Sequence, residues 1–80
     1  MVTRDDLKPW IIDALKFSSG KAGVVEIAKH IWRNHRTELE ESGDFFFKWQ
    51  YEMRWAGQQL SKEGKIAKVR STGVWELLGA

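Results

Sequence analysis

Apolar residues recur along this chain at helical intervals three times, then switch to alternation. Leu7, Trp10, Ile11, Ala14 and Leu15 are spaced by three and four residues, which places them on one face of a helix. Thr3 is positioned to cap that helix, with Asp6 three residues on as in a capping box. Pro9 falls in the first turns, where its missing N–H costs least. Ser18-Ser19-Gly20 ends the helix. Gly20 and Gly23 frame a turn, the latter at a short strand or bridge. Val24, Ile27, Ala28 and Ile31 predict a second helix over 24–35, with Lys29 and Arg33 toward its other side. Arg36 to Gly43 is polar and acidic, with Leu39 as a lone anchor, and reads as a helical turn plus loop. Phe45-Phe46-Phe47 taken alone looks like a strand, but Phe46, Trp49, Met53, Ala56 and Leu60 line one helical face. A third helix capped by Asp44 is therefore expected. Gly57 inside it implies close approach of a neighbouring helix, and Gly64 suits its C-cap.

After Gly64 the period becomes two. A strand over 66–70, a turn at Ser71-Thr72-Gly73 and a strand over 74–78 make a hairpin. Trp75 and Leu77 share the face expected to pack on the helices, since a lone hairpin is marginal in water. Helices leading into such a hairpin predict an α+β, mainly helical fold: a winged helix-turn-helix, three helices followed by a two-stranded β-hairpin wing. Eighty residues make a single domain, 1–80.

Composition refines this picture in a few places. Five Trp, four Phe and one Tyr provide the large apolar units that a domain this small needs. Cysteine is absent, which excludes disulfides and thiolate metal sites. His30 and His35 are five apart and fall on different sides of a helix, unlike a zinc pair. No metal or other cofactor is expected. No nucleophile–base set, purposeful carboxylate pair or Gly-rich phosphate loop is visible, so the chain is not expected to be an enzyme. No apolar run is long enough to span a membrane, and the N-terminus lacks the pattern of a secretory leader. A cytoplasmic location without a membrane partner is the expectation. The net charge is only +2, but it is uneven. Residues 1–45 hold seven Lys/Arg against eight Asp/Glu, and residues 46–80 hold six against three. The basic half is the one that carries the third helix and the hairpin.

These residues suggest double-stranded DNA as the partner. A major groove admits one helix and displays a distinct pattern of donors and acceptors. The third helix offers Lys48, Gln50, Arg54 and Gln58 on the polar face also assigned to Glu52, with Tyr51 on its flank. Arg54 suits a guanine, Gln50 or Gln58 an adenine, and Lys48 near the helix start a phosphate. Lys68, Arg70, Ser71 and Thr72 on the wing suit phosphates or the minor groove. Lys29 and Arg33 on the second helix are placed to touch the backbone. Tyr51 and Trp55, one turn apart, are the aromatic pair expected at a surface. The alternative reading is a protein-interaction or homodimerisation module built on exposed aromatics of residues 45–55, favoured if the acidic stretch Glu38–Asp44 borders the same groove.

Lys48-Trp49-Gln50-Tyr51, Arg54-Trp55-Ala56, Leu60, Gly64 and Gly73-Val74-Trp75-Glu76-Leu77 together resemble the N-terminal winged-helix domain of Mrr-type restriction endonucleases. The resemblance covers 48–78 and is faint over 1–45. It implies a DNA-targeting role in transcriptional control or a restriction-like system. That family's nuclease domain has no counterpart in these residues. Gln50-Tyr51-Glu52 stands where the family is rich in Arg and Asn, and Ser71-Thr72-Gly73 where its wing is often more basic. The resemblance therefore implies weak binding.

Overall fold

The computed structural model describes residues 2–69 and 71–78. A 3₁₀ turn (Arg4–Asp6) leads into α1 (Leu7–Phe17), followed by β1 (Lys21–Gly23) and α2 (Val24–Glu40). A second 3₁₀ turn (Gly43–Phe47) precedes α3 (Trp49–Lys62), and the hairpin β2 (Ile66–Val69) and β3 (Val74–Leu77) closes the chain. Three helices followed by an antiparallel two-stranded hairpin make the winged-helix architecture. The expected strand near Gly23 is real, and it extends the hairpin to a three-stranded antiparallel sheet in the order β1-β3-β2. Lys21–Gly23 pairs with Glu76–Val74 on one side of β3, while Ile66–Val69 pairs with Leu77–Val74 on the other.

The core follows the helical stripes. Leu7, Ile11, Ala14 and Leu15 of α1, Ile27 and Ile31 of α2, and Met53, Ala56 and Leu60 of α3 are buried together with Ile66 and Trp75 from the sheet. Thr3 caps the 3₁₀ turn rather than α1 itself: the Thr3 amide donates to Asp6 Oδ2 at 2.9 Å, and Asp6 stands at the N-cap of α1. Beyond Leu60 the chain turns through Gly64 at φ 77°. There the Lys65 amide donates to the Leu60 carbonyl at 2.9 Å, an αL helix ending that favours glycine. Trp75 and Leu77 do face the helices, and Trp75 is buried.

Four further local expectations are corrected. The second helix runs past 35 to Glu40, with non-helical angles at His35 (φ −129°, ψ 23°) marking a break rather than an end. His35 occupies the next position on the Ile27–Ile31 stripe. It stacks on Trp10 with ring centroids 3.7 Å apart, and its Nδ1 lies 2.8 Å from Glu38. The third helix begins at Trp49, with Lys48 and not Asp44 in the cap position. The preceding 3₁₀ turn packs Phe45 and Phe46 against the core and leaves Phe47 in solvent. Gly57 is buried, but its close neighbour is the indole of Trp75 from β3 and not a helix. A Cβ at Gly57 would overlap the six-membered ring. Finally, Glu52 is not on the polar face. It is buried beside Arg4, which places Nε 3.0 Å from Oε2 and donates from its terminal nitrogen to Oε1 at 3.3 Å.

Candidate nucleic-acid interface

The period of α3 decides which of its side chains remain available. With Trp49, Glu52, Met53, Ala56, Gly57 and Leu60 inward, Gln50, Tyr51, Arg54 and Gln58 are all exposed. Arg54 lies one turn from both Gln50 and Gln58, so the three make a continuous polar row. Lys48 is exposed at the helix start, its carbonyl accepting from the Glu52 amide at 3.0 Å. On α2, Ile27 and Ile31 point inward and leave Lys29 and Arg33 exposed, one turn apart.

Between α2 and α3 lies an open cleft of about 670 Å³. Lys29 on one wall and Gln50, Tyr51 and Arg54 on the other carry its polar groups. Val24, Val25, Ala28, Trp32, Phe46, Trp49 and Met53 supply the apolar remainder. Trp32 and Trp49 lie nearly parallel (6°) with centroids 6.3 Å apart, joining the two helices behind the cleft. The apolar lining was not anticipated as part of a site. Val25 carried the available signal: it is an apolar residue off the Val24–Ile27–Ala28–Ile31 stripe, and it is 64% exposed.

The wing brings one further cation to this face. Lys68 Nζ sits 4.8 Å from the centre of the Trp75 ring. Its side chain is largely exposed, yet the ammonium lies against an indole. Partial loss of hydration first, and the charge of Arg54 second, hold its pKa below the ordinary lysine value. Arg54 on α3 and Lys68 on β2 are both exposed. Among the described residues neither has a carboxylate within salt-bridge distance. Lys29 has only a long contact, 3.9 Å to Glu26.

Ser71 and Thr72 are exposed at the wing tip, and the Thr72 hydroxyl accepts from the Val74 amide at 3.4 Å. Thr72 thus shapes the turn and keeps its O–H free to donate. Arg70 lies outside the described residues. Trp55 is not the surface aromatic expected beside Tyr51. The Arg4 guanidinium covers its ring at 4.4 Å, and Lys8 approaches it at 5.7 Å. Tyr51 is 75% exposed and Phe47 84%. Tyr51 lies on α3 and Phe47 in the 3₁₀ turn before it, so both exposed rings stand near the start of the helix that carries Arg54.

The acidic segment does not border this cleft. Glu38 and Glu41 line a separate hollow with Val2, Asp6 and Trp10, and no carboxylate lines the cleft between α2 and α3. No described helix is long and apolar enough to cross a membrane. The fold is that of a winged helix whose α2–α3 cleft has Lys29 and Arg54 among its lining residues, and this class describes the molecule. Comparisons with family models, curated proteins and solved structures find no match that would narrow the class to a family.

Proposed function

We propose that this domain binds double-stranded DNA, with α3 presented to the major groove and the wing to the flanking backbone. The observation that carries the reading is the exposed Gln50–Arg54–Gln58 row of α3, opposite the helix's buried stripe. Among the described residues Arg54 has no carboxylate within salt-bridge distance, so its guanidinium remains available to a base edge. Arg54, Gln50 and Gln58 are the base-reading set. Lys48, Lys29, Arg33, Lys68, Ser71 and Thr72 position the backbone, with Arg70 as a further wing cation. The resemblance of 48–78 to Mrr-type N-terminal domains supports the same reading and suggests site targeting in transcriptional control or a restriction-like system. With a net charge of only +2, the binding is weak and electrostatic. A protein or homodimer partner is the second reading, and the exposure of Phe47 and Tyr51 favours it.

An Arg54→Ala variant titrated against a panel of duplexes tests the assignment. Base reading predicts a loss of roughly 1–3 kcal/mol on preferred sites and less elsewhere. Equal loss on every duplex reassigns Arg54 to phosphate. Unchanged binding by a folded variant removes α3 as the reader.

A further inference from the structure

We infer that the cleft between α2 and α3 takes a single unpaired nucleotide, with its base in the apolar hollow and its phosphate against Lys29 and against Arg54, which on such a site leaves the base edge that it reads on paired DNA. The inference deepens the DNA reading and rests on it. The surface described above could be a simple convex patch that lies on an intact duplex, but it is not. It is indented by about 670 Å³, within the ~300–1,000 Å³ of small-molecule sites. That is more than a flat contact with base edges requires.

The lining has the chemistry of a base site. A nucleobase is flat, aromatic and uncharged, with a polar edge. Tyr51 offers an exposed π face on the α3 wall, and Val25 and Ala28 offer apolar surface on the α2 wall. Gln50 carries an amide that can both donate to and accept from such an edge. The two cations stand one on each wall, Lys29 on α2 and Arg54 on α3, with no carboxylate among the lining residues. One cation per wall suits a single phosphate-bearing unit.

A base that must leave an intact duplex first loses its stacking and pairing, whereas a bulged base has already lost most of both. The protein should therefore bind a duplex with one bulged nucleotide about tenfold more tightly than the fully paired duplex, the effect of one added base–aromatic stack. With 2-aminopurine as the bulged base, emission should fall on binding as the base enters the cleft.

Two variants localise the effect. Ala28→Leu fills the hollow without touching a charge, and should bring the two affinities together while affinity for paired DNA stays within about twofold. Tyr51→Leu alters only an exposed ring and should abolish the fall in emission, with circular dichroism confirming that each variant is folded. Equal wild-type affinity for bulged and paired duplexes overturns the inference and leaves duplex binding standing. A preference that survives Ala28→Leu with its emission change intact places the base elsewhere and also overturns it. Failure to bind either DNA overturns the proposed function itself. Binding of an acidic helical peptide that Ala28→Leu blocks, without any preference for the bulge, assigns the cleft to a protein instead.

Discussion

Gly57→Ala should destabilise this protein, although in most helices the same change is favourable. On backbone grounds alone, replacing an interior helical glycine by alanine gains roughly 0.5–1 kcal/mol. Here the added methyl would occupy space already filled by the six-membered ring of Trp75. That indole is buried in the central strand of the sheet and is fixed by pairing on both sides. Neither partner can swing into solvent, so α3 and β3 must separate. Overpacking of this kind costs typically 1–3 kcal/mol. An overlap this deep puts the cost in the upper part of that range, about 2–3 kcal/mol, and the net loss after the backbone gain at about 1–2.5 kcal/mol. For a domain of this size, each kcal/mol lowers the melting temperature by roughly 4–8 °C. Urea denaturation followed by far-ultraviolet circular dichroism measures it without interference from five tryptophans. A Trp75→Phe background provides the control, because phenylalanine lacks the outer ring atoms that meet the new methyl. In that background Gly57→Ala should be neutral or stabilising, giving a coupling of at least about 1 kcal/mol between the two sites. Wild-type protein stabilised by Gly57→Ala, or additive effects of the two changes, would refute the proposed contact.

Three further outcomes are expected. Arg4→Ala should destabilise the fold by about 1–2 kcal/mol in the same urea assay, because it leaves the buried Glu52 carboxylate without its cation; the figure is below that for a fully buried pair since Arg4 is half exposed. In a carbon-13 titration of the lysine Cε resonances, Arg54→Ala should move the Lys68 midpoint upward but not fully to the ordinary value, because lost hydration is the larger cause and remains. Since the folded-state pKa of Lys68 lies below the unfolded one, the unfolded chain holds more protons through that alkaline window and the Lys68 contribution to stability rises with pH across it. Duplex affinity should fall linearly with salt on logarithmic axes, and Lys68→Ala should reduce the slope by about 0.9 if that lysine neutralises one phosphate.

The helical stripes and the hairpin were legible because each depends on local spacing. Ile27–Ile31 or Met53–Ala56–Leu60 must face inward whatever else the chain does. What escaped the sequence depended on partners far along the chain or on residues with two natures. The second helix seemed to end at 35 because histidine is not counted as apolar, yet His35 continues the stripe by stacking on Trp10. Glu52 seemed a surface residue because its partner, Arg4, lies 48 positions away. The covering of Trp55 is hidden from local spacing for the same reason, since the guanidinium over its ring is that of Arg4. Asp44 is a good capping residue locally. The chain nevertheless makes a separate 3₁₀ turn from Gly43 to Phe47, with Phe45 and Phe46 against the core, and α3 begins only at Trp49. Helical period left Lys29, Arg33 and Arg54 exposed on their own helices, whereas the packing of α2 on α3 brought Lys29 and Arg54 to one cleft. The nearness of Lys68 to Arg54 came from how the sheet docks on α3, which no spacing within either element encodes.

The seating of Trp75 against Gly57 also divides the wing into a part that can drift in evolution and a part that cannot. Below the Val69–Val74 pair every position is locked, because inserting or deleting one residue in β3 would rotate Trp75 to the opposite face of the sheet. Beyond that pair lie only residues 70–73, whose described side chains Ser71 and Thr72 are exposed. Length and charge can vary there without disturbing the docking of α3. Related chains would therefore be expected to differ in how far the tip extends from the sheet, while keeping the angle between helix and hairpin constant. The domain would then be an interchangeable tip on a fixed mount.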